Sequence, residues 1–420
     1  MAIATGEAGI HGACAPEFAR VREVFADNFA RGTETGAAFA LYIGDEPVVD
    51  LWGGLADHRA QTPWEHDTPC LAFSCTKALT AAAALRAAER GGHDLGAPVA
   101  SWWPEFAVRG KERVTGEQLL AHQAGLPAFD RGVSVAEAAD PAAMADRLAG
   151  QAPEWAPGTA HGYHALTYGW LAGEIVRRLD GRTVGRYVAE EIAGPLGLDL
   201  WVGAPDGVLD RTARLTTGRT GRTDRAPAAN RTGTDGGTAP PAASGARPAD
   251  GPPADGPRAR LARDAADPLS MFSRAFANPD VAAVPGRYNN REVLRAGWPA
   301  SGVITTAPAL AGFYRDLAAG RIVSPDTLRD ALRPRATGPD RVLHLDSSFG
   351  LGFMRPSLTF AVPRAARQGA FGHTGAGGSI GLADIDHGIA LAYVMNRTGT
   401  ELSGGLRAMR LIKAAYDCLR

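Results

Sequence analysis

The spacing of apolar residues changes twice along this chain of 420 residues, and that change constrains the fold more than any other feature. Ala37–Ile43 and Pro47–Trp52 are short apolar runs separated by Gly44-Asp45-Glu46, the pattern of a β-hairpin whose turn is supplied by glycine. From about Gly92 to Gly203 the spacing becomes helical and predicts helices over Thr115–His122, Val135–Ala149, Leu166–Leu179 and Val184–Ile192. Strand-like runs return at Gly302–Thr306, Phe349–Phe353, Gly381–Asp384 and Ile389–Met395, before a closing helix at Gly404–Leu419. An amphipathic helix is also expected over Pro16–Arg31, where Phe18, Val21, Val24, Phe25 and Phe29 would pack on a sheet. The order of these segments predicts an α+β fold. Residues 1–91 and 269–420 would build an antiparallel sheet flanked by helices, with a mainly helical lobe, 92–203, between them.

Between the second and third regions lies a stretch of different composition. Gly218–Pro257 has no aromatic residue and no Leu, Ile, Val or Met, so it has almost nothing to bury against the entropy of ordering. Residues 204–268 are therefore expected to be a low-complexity, disordered insertion, a linker rather than a lid. The balance of 44 Lys and Arg against 45 Asp and Glu gives no global field for nucleic acid or an anionic membrane. Met1–Gly12 carries no apolar run behind a basic start, and no later stretch approaches the roughly 18 apolar residues of a span. Cys14, Cys70, Cys75 and Cys418 have no Cys-x-x-Cys spacing, which fits free thiols in a reducing compartment. A cytoplasmic protein without membrane or nucleic-acid partners is the expectation; the oligomeric state is not legible.

The chemistry is concentrated at Ser74-Cys75-Thr76-Lys77, where Ser74 opens an Ala- and Leu-rich helix that Gly91-Gly92 ends. On a helix an i, i+3 spacing puts hydroxyl and amine on one face. A serine hydroxyl is a weak nucleophile until a base takes its proton, and a desolvated lysine can be that base. The helix N-terminus adds oriented backbone N–H groups beside the nucleophile. By itself a Ser-x-x-Lys tetrad is common by chance. Two later elements strengthen it: Trp155-Ala156-Pro157-Gly158 with His161-Gly162-Tyr163-His164-Ala165, and Phe371-Gly372-His373-Thr374-Gly375-Ala376-Gly377-Gly378.

In that order these elements resemble the Ser-x-x-Lys, Pro-Gly…Tyr-x-Asn and Lys-Thr-Gly motifs of the serine β-lactamase-like group: class C β-lactamases, family VIII carboxylesterases and penicillin-binding proteins. Asp50-Leu51-Trp52-Gly53-Gly54 and Leu119-Leu120-Ala121-His122-Gln123-Ala124-Gly125-Leu126-Pro127 extend the similarity, which spans roughly residues 16–400. The resemblance implies a β-lactamase/transpeptidase-like fold and a serine hydrolase working through an acyl-enzyme, with a small-molecule ester or acyl substrate and no cofactor or metal. It implies Ser74 as nucleophile, Lys77 and Tyr163 as activating bases, and the backbone N–H groups of Ser74 and Ala376 as oxyanion hole. His164, His373, Thr374 and Gly375 would bind substrate.

Two departures bear on substrate. Ala165 stands where the motif has Asn, removing an amide that would bond a β-lactam side chain. His373 replaces the lysine that would meet a substrate carboxylate, and imidazole is mostly neutral near pH 7. Both changes favour esters. Acyl transfer to an amine or alcohol would use the same residues and differ in excluding water, and weak β-lactamase or D-amino peptidase activity ranks below it. A catalytically dead binding module would be expected to have lost Ser74, Lys77 or Tyr163. Gly377-Gly378-Ser379-Ile380-Gly381 matches a nucleophile-elbow pattern, but strands rather than a helix are expected after it. Tyr168 is the rival phenol. His122, His161 and His164 lack zinc spacing, and Trp102, Trp103 and Trp155 either border the acyl pocket or pack.

Overall fold

The computed structural model describes residues 9–217, 256–399 and 404–419. Its main sheet runs in the order β1 (Ile10–Cys14), β3 (Glu46–Asp57), β2 (Gly36–Ile43), β9 (Ile389–Met395), β8 (Ile380–Asp384), β7 (Ala370–Thr374), every neighbour antiparallel, with Thr62–Pro63 added beside β3. The chain ends thus meet in mid-sheet, where Leu41 pairs with Leu391 and Ala38 with Val394.

Both faces of this sheet are covered, and side-chain size sorts the faces. Along β9 the small Ala390 and Ala392 and Val394 join the core containing α2 (Thr76–Gly91) and α7 (Ala307–Ala318). Ile389, Leu391, Tyr393 and Met395 join the opposite core under α1 (Ala19–Ala30) and α8 (Leu406–Asp417). A period of two with both faces buried is why β9 reads as an unbroken apolar run. A smaller antiparallel sheet places β6 (Val303–Thr305) between β4 (Cys70–Leu71) and β5 (Leu200–Val202), so three distant stretches of chain meet just before the nucleophile helix. Among the described residues no helix is long and apolar enough to cross a membrane.

The helical region contains α3 (Gly116–Leu120), α4 (Pro141–Gly150), α5 (Thr167–Asp180) and α6 (Val184–Val188). Three expectations need correction here. The helix expected over Thr115–His122 stops at Leu120, and His122 has φ +61°, outside any right-handed helix. The helix expected over Val135–Ala149 is split: Asp140 caps α4 with Pro141 at its first position, and a proline disfavours helical backbone in the residue before it. The strand expected at Phe349–Phe353 lies instead at Asp346–Phe349, paired with Ala336–Pro339; Gly350 to Phe353 form a turn closed by Gly350 N–H to Phe353 O, 2.9 Å, with Gly352 at φ +83°. Within the expected insertion, Asp206–Leu209, Thr216–Thr217 and Pro257–Ala266 carry regular structure, whereas 218–255 lie outside the described residues.

Candidate active site

Ser74 sits in a 3-10 turn, Phe73–Cys75, that runs directly into α2. Phe73 has φ +47°, a conformation that is costly for a bulky residue and holds only where neighbours fix it. Thr76 does part of the fixing: its hydroxyl donates to Phe73 O at 2.5 Å and accepts from Val303 N–H at 2.8 Å, while Ala72 N–H donates to Val303 O at 2.9 Å. The strained turn leaves Ser74 half-buried at the head of a buried helix.

Lys77 is fully buried one turn on, its Nζ 3.1 Å from Ser74 Oγ. The amine donates to the carbonyls of Ala165 (2.8 Å) and Ala300 (3.0 Å). Its bonding partners are these two carbonyls and the Ser74 hydroxyl, none of them a carboxylate, and burial pushes its pKa well below the ordinary lysine value. A neutral amine spends two N–H groups on the carbonyls and keeps its lone pair for the Ser74 hydroxyl. Tyr163 lies against this pair, its ring 4.8 Å from Nζ, and the Ser74 side chain is close enough to offset part of the burial effect on its phenol. Burial raises the phenol's pKa well above its ordinary value, so the ring is present as phenol. The structure therefore brings together the hydroxyl, amine and phenol of the sequence analysis.

Tyr163 is held through its backbone. Asp340 Oδ1 accepts from the N–H groups of Tyr163 (3.1 Å), Val342 (2.8 Å) and Leu343 (2.9 Å). Its Oδ2 accepts from Ser347 Oγ at 3.0 Å, and that hydroxyl accepts from His161 Nε2 at 2.9 Å. His122 accepts His164 N–H on Nδ1 at 3.1 Å and packs, with tilted rings, on Tyr163 and Tyr168 at centroid distances of 5.1 and 4.9 Å. Neither Asp340 nor the Ala300 carbonyl carries a local sequence signal, because each acts across more than a hundred residues of chain.

The expected role of His164 is not what its geometry offers. Its Nδ1–H donates to Gly162 O at 2.7 Å and its Nε2 accepts Leu126 N–H at 3.0 Å, so both ring nitrogens are spent on backbone. The ring is fully buried with its pKa lowered to about 4, and it clamps the loop carrying Tyr163 instead of greeting a ligand. His373, on β7, donates Nδ1–H to Thr374 O at 2.7 Å; burial lowers its pKa to about 3. Its ring centroid lies 6.1 Å from that of Tyr163 and supplies no cation there. Thr374 Oγ1 donates to Met354 Sδ at 3.5 Å.

After β7 the backbone turns at Gly375 and Ala376. A Cβ on Gly375 would lie 2.3 Å from Ala72 O, so glycine lets this turn pack against the nucleophile turn. Ala376 begins its own 3-10 turn, and neither its N–H nor that of Ser74 bonds to backbone outside these turns among the described residues. Beside them opens a cavity of about 390 Å³ walled by Phe73, Leu215, Val281, Tyr288, Ala376 and Gly377. Phe73 and Tyr288 meet edge to face at 5.1 Å, and the Asn289 amide staples Leu215 by two hydrogen bonds, 2.8 and 3.0 Å.

The rivals fall away on geometry. The Tyr168 hydroxyl is buried without a hydrogen-bond partner among the described residues, close over Gly352, and its ring is 5.9 Å from Nζ. Ser379 is fully buried and precedes strand β8, not a helix; Asp384, which binds His387 (2.9 Å) and Tyr416 (2.7 Å), ends that same strand about 16 Å away. Trp103 packs on Phe106 in the core with Trp102 against it, and Trp155 donates to Ala160 O at 3.0 Å.

A family model for beta-lactamases matches residues 21–416. The chain is 34% identical over 399 residues to esterase/beta-lactamase LipL of Mycobacterium tuberculosis, covering 92% of this chain and 83% of that protein. Among solved structures, a family VIII carboxylesterase aligns with TM-score 0.81 and 33% identity over 98% of this chain and 100% of that one. A penicillin-binding protein homolog from Caulobacter crescentus aligns with TM-score 0.79 and 39% identity, again over 98% and 100%. The antiparallel sheet, its helical layers and the helical lobe are thus the β-lactamase/transpeptidase-like fold. On sequence and on structure alike, the chain belongs to the beta-lactamase family.

Proposed function

We propose that this protein hydrolyses carboxylic esters through an acyl-serine intermediate. Ser74 is the nucleophile, neutral Lys77 the base, and Tyr163 the phenol that passes the proton on. The observation that carries this reading is the buried amine, bonded to two carbonyls and to the serine hydroxyl with no carboxylate among those partners. As Ser74 Oγ attacks the carbonyl carbon, its proton moves to the Lys77 lone pair and the developing oxyanion accepts from the N–H groups of Ser74 and Ala376. Tyr163 then gives its phenolic proton to the leaving alkoxide and recovers one from the Lys77 ammonium, so the alcohol departs neutral. Water attacks the acyl-enzyme by the reverse route.

Ester rather than β-lactam substrates are favoured by the residues at the mouth. A neutral His373 gives no fixed charge for a carboxylate, and Ala165 has no side-chain amide to offer a substrate. The cavity beside Phe73 and Ala376, whose walls are largely apolar with Arg287 among its lining, suits an acyl group with an apolar body. No observation favours acyl transfer over hydrolysis. Four free cysteines support a cytoplasmic location.

A fluorophosphonate probe should label Ser74, mapped by mass spectrometry, and p-nitrophenyl butyrate should be turned over. Ser74→Ala should lose roughly 10³-fold or more of that turnover. Label on Ser379, or undiminished turnover in Ser74→Ala, overturns the assignment.

A further inference from the structure

A second cavity, of about 400 Å³, opens between α5, α6 and the segment 295–299, and none of Ser74, Lys77 or Tyr163 lines it. Its apolar wall includes Trp170 and Trp298, whose rings lie 6.2 Å apart, with Val184 and Val202. The Trp298 indole N–H is buried without a hydrogen-bond partner among the described residues, and such groups are normally satisfied by something. The charged lining is Arg177, Arg186 and Arg295 against Glu174. That carboxylate is already saturated by Arg177 and Arg178 at 2.6–2.7 Å. Arg186 gives Nε to Glu190 and Arg295 gives Nη2 to Asp206, so further guanidinium N–H groups remain for a ligand.

We propose that this cavity binds an apolar carboxylate, an aromatic or medium-chain acid, and that its occupancy is felt at Lys77. An indole pair accepts the hydrocarbon body, while the guanidinium groups accept the anionic head. The path inward is a single turn of chain. Trp298 and Pro299 form the cavity wall; Pro299 O accepts from Thr80 Oγ1 at 2.6 Å and Ala300 O accepts from Lys77 Nζ at 3.0 Å. The turn is tight, since the N–H groups of Ser301 and Gly302 both return to Trp298 O, at 3.0 and 2.8 Å. Helix α5 rests directly on it: a Cβ on Gly169 would lie 2.5 Å from Ala300 N. A ligand pressing on Trp298 therefore shifts the carbonyl that orients the base. Acids of this class are what ester hydrolysis releases, so the regulatory meaning rests on the function proposed above, whereas the binding does not.

The test titrates octanoate into the full chain blocked with a fluorophosphonate, followed by tryptophan fluorescence and calorimetry. Saturable one-to-one binding is expected. Arg186→Glu with Arg295→Glu, both at exposed side chains, should weaken it at least tenfold while leaving p-nitrophenyl acetate turnover without octanoate unchanged. Trp298→Phe should weaken it about threefold. On the unblocked enzyme octanoate should change kcat and leave KM. Absence of binding, affinity indifferent to the charge reversal, or purely competitive inhibition overturns the proposal. Failure of the fluorophosphonate to label the chain would sink the hydrolase reading while leaving the titration, run on untreated protein, fully readable.

Discussion

Lys77 shows how much a single environment can change a residue. In water its amine would be protonated and useless as a base; burial, with no carboxylate among its hydrogen-bond partners, lowers its pKa and favours the neutral form. The sign of the pH effect follows. The amine is neutral above its lowered pKa, so kcat/KM should rise with pH through that value and fall on acidification below it. Lys77→Arg keeps the charge but cannot give up a proton, and should lose about 10²–10⁴-fold in kcat. An acid limb that survives unchanged in the residual activity of that variant would assign the limb to another group. The two phenols separate in the same way. Tyr163→Phe should lose about 10²-fold or more in kcat, whereas Tyr168→Phe, whose hydroxyl has no hydrogen-bond partner among the described residues, should change it by a few-fold at most. Steady-state ester kinetics on the pair decides the matter.

At the level of elements, the site is two turns pressed together, one carrying Ser74 and one carrying Ala376. Gly375 makes their approach possible, because a Cβ there would meet Ala72 O at 2.3 Å. Gly375→Ala should push the turns apart and lower kcat more than tenfold, with far-ultraviolet circular dichroism unchanged; full activity would show that the Ala376 N–H is dispensable. The elements themselves were unequally legible. Strand Ile389–Met395 was expected at its observed bounds, because a fully buried strand is an unbroken apolar run. Helix Ala307–Ala318 is absent from the sequence-based expectations, although Thr306 caps it, Pro308 sits in its first turn, and Leu310, Phe313, Tyr314 and Leu317 recur at three- and four-residue steps on its buried face. The run Phe349–Phe353 reads as a strand because apolar residues alternate with glycines, but Gly352 at φ +83° makes a turn.

The whole molecule carries the cost of its buried histidines. His122, His164 and His373 have pKa values lowered by burial, to about 4 for His164 and about 3 for His373. Below the unfolded value of 6.5 the unfolded chain binds protons that the native rings do not, so stability falls as the solution is acidified toward those lowered values. At pH 5 this amounts to on the order of 2 kcal/mol each for His164 and His373. Denaturant unfolding at pH 7 and 5 should show it, and equal stability at the two would mean the rings titrate normally in the fold.

What the sequence determined alone is the local part: a hydroxyl and an amine one helical turn apart, a hairpin, and motif order, since each depends on residues adjacent in the chain. Only the tertiary structure decided that burial lowers the Lys77 pKa, that Asp340 and His122 hold Tyr163, and that both ring nitrogens of His164 are spent on backbone. Those outcomes depend on burial and on partners brought from distant stretches, and neither desolvation nor a hydrogen bond across the fold leaves a mark in the spacing of the residues that make it.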